Sequence, residues 1–209
     1  LGTTPNANVV QMLSGTGNIV IRGEGTSSSG QSGVSIEAGV RIIGSTVEIF
    51  GKNVSSTSDN ADFAPVYHYA NSALAKTLIE ATLSSNIHRT ALSITGQSTN
   101  SYYATMLSNE NNSTVGDQIT LRTTGGSADI RISGTTARSG GAGVQAAGLV
   151  LSTFDGDVYI DTGLIDASLG RDASSRKSVY SPHGSGPGGN LTITAGSLDT
   201  SVHSSGAFN

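Results

Sequence analysis

The chain has 209 residues, of which glycine, serine and threonine supply 83, while aspartate, glutamate, lysine and arginine together make up 12%. This balance excludes a coiled coil or helical bundle, which needs many more Ala, Leu, Glu, Lys and Arg residues in heptad spacing, and the irregular placement of the glycines excludes collagen. A net charge of −4, with 11 basic residues scattered singly, argues against nucleic acid as a partner.

The rest of the composition favours a folded chain with one core. Apolar residues make up 35% of the sequence, and the chain is long enough to bury many of them. The absence of cysteine excludes disulfide frameworks and thiolate zinc sites, and we expect no cofactor. No apolar run has the length of a membrane-crossing helix, so we expect no membrane insertion. The chain begins with Leu1 rather than methionine, which favours a processed chain or a fragment of a longer protein.

One short pattern recurs along the chain and predicts its strands. In seven places a turn residue precedes an apolar residue, any residue and a second apolar residue. The apolar pairs are Ile19 and Ile21, Val47 and Ile49, Leu92 and Ile94, Ile119 and Leu121, Ile130 and Ile132, Val158 and Ile160, and Leu191 and Ile193. A period of two is typical of a strand with one buried face. We therefore expect these pairs to point inward, and Val20, Glu48 and Arg131 to point outward.

Further short apolar segments predict additional strands, at residues 34–36, 40–43, 149–151 and 164–167. Several pattern copies end on a glycine that we expect to relieve corner strain through a positive φ angle; these are Gly23, Gly51, Gly96 and Gly134. Residues 19–34 are echoed by residues 130–144, which indicates a reused module. Short strands between Gly-rich corners predict one all-β domain over residues 1–209, a right-handed parallel β-helix (β-solenoid) of about 8–10 coils with about 20–25 residues each.

Two intervals interrupt this rhythm. Residues 53–90 contain Pro65 and several aromatic residues, and they predict an irregular insertion or decorated loop. Within it, residues 72–83 have the spacing of a short helix, while residues 78–83 could equally form a strand. Residues 170–189 are rich in Gly, Ser and Pro and predict a loop.

The strand pattern resembles the repeats of the filamentous-haemagglutinin type of large secreted bacterial exoproteins. The residues that carry the resemblance are 130–134, with their Gly-, Thr- and Ser-rich link into 143–144, and 189–198. The resemblance implies a right-handed parallel β-helix exported by two-partner secretion, which serves as an adhesin stalk or carries a distal toxin. The family's secretion-domain motif is not visible, so the correspondence is to an internal repeat region. Phage tailspikes and pectate-lyase-like enzymes share this architecture with other functions.

The densest group of carboxylates is Asp155, Asp157, Asp161 and Asp166. Paired carboxylates can cleave glycosidic bonds, and oxygen ligands suit Ca²⁺. Asp157 and Asp161 lie on the outward face of the predicted strand, however, and the sequence around Asp155 and Asp161 is typical of turns. We therefore predict solvated turn residues here, with Asp155, Asp157 and Asp161 the only metal candidates.

The remaining polar motifs do not predict catalysis. The four histidines, His68, His88, His183 and His203, are far apart in sequence, which favours surface positions and no zinc site. No nucleophile elbow and no phosphate-binding loop is recognisable in the sequence. We therefore predict that the protein is not an enzyme.

Aromatic residues on the irregular segments are the best candidates for binding. Aromatic side chains on exposed loops can stack on sugar rings or anchor a protein partner, although packing onto the core is the competing interpretation. The candidates are Phe63, Tyr67, Tyr69, Tyr102 and Tyr103.

These observations favour a structural and adhesive segment of an exported bacterial surface protein. We expect its partner to be a glycan or protein receptor on a host cell or other surface, or neighbouring copies of the chain. A tailspike-like β-helix that binds or cleaves polysaccharide and a self-assembling extracellular filament or sheath subunit remain alternatives.

Overall fold

The computed structural model describes residues 11–25, 32–54, 64–68, 76–107, 119–139, 141–146, 148–163, 166–169 and 179–199. Every helix or strand in these ranges is a β-strand, sixteen in all, and the pairings between them are parallel. Within the same ranges no helix has the length and apolar character needed to cross a membrane. The all-β class predicted from the sequence is therefore confirmed for the described part of the chain.

The strands stack into three parallel ladders. The first contains β1 (Gln11–Leu13), β4 (Arg41–Gly44), the start of β7 (Thr77–Ser98), the start of β9 (Ile119–Thr136), β11 (Leu149–Thr153) and β14 (Val179–Pro182). The second contains β2 (Ile19–Gly25), β5 (Val47–Asn53), the ends of β7 and β9, β12 (Val158–Asp161) and β15 (Leu191–Thr194). The third contains β3 (Val34–Ile36), β6 (Val66–His68), β8 (Tyr103–Leu107), β10 (Ala142–Ala146), β13 (Asp166–Leu169) and β16 (Leu198–Asp199).

The chain visits these ladders in one fixed order. It runs through the first, second and third ladder, in that order, six times in the described residues. Each of these six rounds is a pass. Equivalent residues of successive passes are 28 positions apart for Ile19 and Val47, and 45 apart for Val47 and Leu92. The predicted 20–25 residues per coil were too few, because each pass holds three strands and corners of variable length.

The core lies between the ladders and follows the predicted alternation. In the second ladder Ile49, Ile94, Ile132 and Ile160 lie in register on successive passes, and all four are fully buried. Val20 points away from this column and is 55% exposed. Burying one such side chain contributes about 1.5–3 kcal/mol, so the stacked column is a major source of stability.

Six of the seven pattern copies fall into one column of the second ladder. The seventh copy lies elsewhere, because Ile119 and Leu121 pair with Thr77 and Ile79 in the first ladder. The sequence pattern marks a buried strand face in both ladders, but it does not distinguish one ladder from the other.

A column of glycines joins the second ladder to the third. Gly23, Gly51, Gly96 and Gly134 lie in register on four successive passes. A Cβ atom on any of them would lie 1.8–2.0 Å from a carbonyl oxygen near or in the third ladder, that of Gly33, Pro65, Ala104 or Gly143 respectively. None of these four glycines has a positive φ angle. At these four positions the predicted positive φ angle is not the reason for glycine, because the backbones approach too closely for a side chain.

The same column explains the echo between residues 19–34 and 130–144. Gly33 contacts Gly23 in one pass as Gly143 contacts Gly134 in another. The repeated sequence module therefore corresponds to a repeated contact between the second and third ladders.

Most of the described part of residues 53–90 lies in strands, although the pairing of β7 with β9 shifts register within residues 81–92. Residues 66–68 and 77–90 lie in strands, and Val66 and Ile79 are fully buried in the core. The predicted insertion is therefore wrong for residues 66–68 and 77–81, because their buried side chains continue the ladders. The strand alternative for residues 78–83 is the one observed, and a helix over 77–83 is excluded. In the predicted loop at 170–189, residues 179–182 form a strand paired with β11.

Candidate functional site

A row of Asp and Asn side chains precedes the strands of the second ladder. Asp129, Asp157 and Asn190 each lie directly before the first apolar residue of such a strand. Asp129 Oδ1 accepts a hydrogen bond from the backbone N–H of Asp157 at 2.8 Å. Asp157 Oδ1 in turn accepts the backbone N–H of Asn190 at 2.8 Å and its Nδ2 at 3.2 Å. The row therefore links three successive passes through side-chain acceptors.

His88 joins this row from the preceding pass. It lies in β7 where the pairing with β9 shifts register between Ser85 and Arg89. Its Nδ1 atom is 3.0 Å from Asp129 Oδ1 and 3.6 Å from Asp157 Oδ2. One nitrogen and two carboxylates, each from a different pass, thus converge within 4.8 Å of one another.

The cluster has a buried side and an open side. The side chains of Asp129 and Asp157 are 7% and 13% exposed, whereas that of His88 is 54% exposed. The Tyr159 hydroxyl donates to Asp157 Oδ2 at 2.9 Å, and the Arg131 guanidinium lies 5.2 Å from the centre of the Tyr159 ring. Hydrogen bonds therefore hold the carboxylates in place while the histidine faces solvent.

Neighbouring groups shift the pKa values of His88, Asp157 and Tyr159. The hydrogen bond to Asp129 raises the pKa of His88, and the charges of Asp157 and Asp155 act in the same direction. Burial opposes ionisation of Asp157, but hydrogen bonds from Asn190 and Tyr159 outweigh it and hold the pKa of Asp157 below its usual value. The bond to Asp157 raises the pKa of the Tyr159 phenol. The cluster therefore favours a charged imidazole beside an ionised carboxylate.

Asp157 lacks the raised pKa that the proton-donating carboxyl group of a glycosidase has. A glycosidase needs one carboxyl group with a raised pKa, so that it can donate a proton. The pKa of Asp157 is shifted the other way. The ligand atoms of His88, Asp129 and Asp157 are, by contrast, of the types that bind divalent cations.

Of the predicted carboxylates, only Asp157 belongs to the cluster. Asp155 Oδ2 lies 3.2 Å from the Ser127 hydroxyl, which donates to it. Asp161 is exposed and accepts the backbone N–H of Gly163 at 3.0 Å. Asp166 is exposed on β13, in the third ladder. The set Asp155, Asp157 and Asp161 therefore does not form one site, and Asp157 is a structural acceptor rather than a solvated turn residue.

The predicted surface position is wrong for one histidine, His68. His68 is fully buried, and burial lowers its pKa to about 3. Its Nε2 atom lies 2.8 Å from Thr77 Oγ1. His88 is exposed but contacts two carboxylates. His183 follows β14, and His203 lies outside the described residues.

The aromatic candidates do not form one exposed surface in the described part of the chain. Tyr67 is 8% exposed and packs with Ala64 and Met106, so its predicted place on an exposed loop is wrong. Tyr103 lies on β8 and packs partly buried against the same cluster. Tyr102 is 39% exposed, and the Arg138 guanidinium lies 3.7 Å from its ring centre. Phe63 and Tyr69 lie outside the described residues.

An apolar pocket lies beside the first strands of the ladders. It has a volume of about 340 Å³ and is lined chiefly by Met12, Ile21, Val34, Ile36 and Ile42. Met12 is 46% exposed there. The pocket is therefore an accessible apolar surface at the β1 side of the stack.

No protein family, curated protein or solved structure matches the chain.

Proposed function

We propose that the chain is a right-handed parallel β-helix that serves as a non-enzymatic structural and adhesive segment of an exported bacterial surface protein. The observation that carries the proposal is the fixed order in which six passes visit three parallel ladders. A chain that repeats this order advances by one strand spacing per pass, about 4.8 Å. Length then grows in proportion to the number of passes, which suits a stalk.

The handedness follows from a general rule rather than from a particular contact. Connections between parallel strands of one sheet are right-handed in about 98% of known cases. The same hand in every pass is needed to keep Ile94, Ile132 and Ile160 in one column. A regular right-handed coil is therefore the architecture that the stacking favours.

Export to the bacterial surface is supported by the resemblance of residues 130–134 and 189–198 to secreted exoprotein repeats. The absence of cysteine is compatible with a large exported protein that avoids thiols. Such a segment would present its corners to a glycan or protein receptor.

Among the described residues, Tyr102 and Arg138 are the best candidates for contacting a receptor. The exposed Tyr102 ring has Arg138 over one face. A phenol ring stacks on a sugar, and a guanidinium binds carboxylates in a bidentate manner. Together they favour an acidic glycan as the receptor.

Binding to a glycan array and to cultured host cells tests the adhesive function. The labelled chain should bind a subset of acidic glycans, and Tyr102→Ala should reduce that binding about tenfold or more. Val20→Ala is the matched control, because Val20 is an exposed apolar residue of the second ladder. Absence of binding to every glycan and cell type, or equal binding by both variants, would contradict adhesion through this surface.

End-to-end assembly of copies is a second candidate, favoured by the apolar pocket beside β1. Exposed apolar surface at the edge of a strand stack promotes association. Fibres or oligomers should then form with rising concentration, and Met12→Asp should suppress them while Val20→Asp should not. A monomer at every concentration, measured by sedimentation and electron microscopy, would exclude this candidate.

A further inference from the structure

We propose that His88, Asp129 and Asp157 form a binding site for Zn²⁺. The ligands would be His88 Nδ1, which releases its proton to solvent when the metal binds, and one carboxylate oxygen from each aspartate. The site goes beyond the stalk function, because a metal here would join three successive passes of the chain at one corner.

The distances from His88 Nδ1 to the two carboxylates are close to those of a zinc site, and the three ligand atoms lie within 4.8 Å of one another. Zinc binds imidazole nitrogen and carboxylate oxygen at about 2.0–2.2 Å, usually in a tetrahedral arrangement, which places neighbouring ligand atoms about 3.3–3.5 Å apart. His88 Nδ1 lies 3.0 Å from Asp129 Oδ1 and 3.6 Å from Asp157 Oδ2. These two values lie on either side of the tetrahedral spacing, so small side-chain rotations would complete the coordination.

The charge of the cluster also favours a cation. Within the described ranges no lysine or arginine forms an ion pair with Asp129 or Asp157, and their one cationic partner is His88. Both carboxylates are largely buried, where uncompensated negative charge is costly. A divalent cation neutralises both carboxylates at once, whereas a protonated imidazole supplies a single positive charge.

The second layer of contacts holds the ligands in orientation. Asp157 Oδ1 is fixed by the backbone and side-chain N–H groups of Asn190, and Oδ2 receives the Tyr159 hydroxyl. Asp129 receives the backbone N–H of Asp157. Hydrogen bonds of this kind orient metal-binding carboxylates and are part of most metal sites. A site organised in this way loses little conformational freedom on binding the ion.

The ligand types select zinc over calcium. Calcium takes six to eight oxygen ligands, whereas this site offers three protein ligands, one of which is an imidazole nitrogen. Zinc accepts three protein ligands with the fourth position open to water. His88 lies on the exposed side of the cluster, which leaves room for that water.

Titration calorimetry with ZnCl2 tests the proposal on the whole chain. We expect saturable one-to-one binding at micromolar concentrations, a rise in the thermal midpoint with zinc, and no such binding of CaCl2. His88→Gln is the decisive variant, because His88 is exposed and its removal should leave the fold intact by circular dichroism. It should weaken zinc binding at least about tenfold, as loss of a ligand does.

Asp161→Asn is the matched control, since Asp161 is an exposed aspartate at the end of β12, the strand that follows Asp157, and contacts neither His88 nor Asp129 in the described structure. It should bind zinc like the unaltered chain. Replacement of zinc by Co²⁺ gives a second readout, because a tetrahedral cobalt site absorbs visible light and His88→Gln should lose that band. No saturable zinc binding below about 1 mM, tighter binding of calcium than of zinc, or equal zinc binding by His88→Gln would overturn the assignment.

Discussion

Asp129 accepts the backbone N–H of Asp157 at 2.8 Å, although the two residues are 28 positions apart in sequence. Asp157 makes the equivalent bond to Asn190 in the next pass. These side-chain bonds therefore add to the backbone pairing where each second-ladder segment begins, and they link adjacent passes.

Loss of this acceptor should destabilise the fold. Asp129→Ala leaves the backbone N–H of Asp157 without its partner in a largely buried place, which costs about 1–3 kcal/mol. Asp129→Asn keeps an acceptor oxygen and should cost less. Urea unfolding followed by circular dichroism measures both. Equal stability of Asp129→Ala and the unaltered chain would show that the bond does not hold the passes together.

The stacked isoleucines should be far more sensitive to truncation than the outward residues of the same ladder. Ile94→Ala creates a cavity between Ile49 and Ile132 and should cost about 2–5 kcal/mol. Val20→Ala, on the exposed face, should change the free energy of unfolding by less than about 0.5 kcal/mol. The two variants can be compared in one denaturation series. Similar losses would contradict the assignment of inward and outward faces.

The positions of the glycine column should not accommodate even one added methyl group. In Gly96→Ala the new Cβ would lie 1.9 Å from the carbonyl oxygen of Ala104, so the second and third ladders must separate. Overpacking of this kind costs about 1–3 kcal/mol or more. Gly15→Ala is the control, because a Cβ at Gly15 meets nothing within 4 Å. The thermal midpoint should fall for Gly96→Ala alone, and a tolerated Gly96→Ala would disprove the close approach.

Because His68 is buried, we expect the folded chain to lose stability in mild acid. Its pKa is lowered to about 3 in the folded chain, whereas an unfolded histidine titrates near pH 6.5. Between these values the unfolded chain binds the additional proton, so stability is complete above about pH 6.5 and falls as the pH is lowered. At pH 5 the loss amounts to about 2 kcal/mol.

His68→Gln isolates this contribution, because glutamine can keep a hydrogen bond to Thr77 but does not titrate. The raised pKa of His88 has the opposite effect on stability. The protonated His88 side chain stabilises the fold at low pH, and this contribution is lost as the pH rises through the pKa of His88 in the folded chain. The variant should therefore lose less stability than the unaltered chain between pH 7 and pH 5. Parallel pH profiles for the two proteins would refute the role of His68.

Much of the second ladder could be predicted from the sequence. The apolar pairs such as Ile130 and Ile132 mark a buried face by their period of two, and six copies align in the structure. Residues 66–68 and 77–83 could not be assigned in the same way, because Pro65, Tyr67 and the spacing of Leu74 and Leu78 also suit a loop or a helix. Stacking against neighbouring strands decides their conformation, and local sequence does not contain that information.

The candidate site could be predicted only in part. Asp129, Asp157 and Asn190 share a place before an apolar pair, so alignment of the copies could have placed them in one row. His88 has no equivalent in the other copies, and its place depends on the register shift in β7. His88 and Asp129 are 41 positions apart, whereas Asp129 and Asp157 are 28 apart. The difference comes from corners of unequal length, and those lengths cannot be read from a single sequence.

Cysteine cross-linking tests the stacking of passes most directly, since the natural chain contains no cysteine. Ser93 and Arg131 are register partners on adjacent strands, about 4.8 Å apart, which is within reach of a disulfide. Glu48 lies one strand further away, at about 9.6 Å from Arg131. Under mild oxidation, Ser93→Cys with Arg131→Cys should form a disulfide detected by mass spectrometry, and Glu48→Cys with Arg131→Cys should not. Cross-linking of the second pair but not the first would contradict the order of the passes.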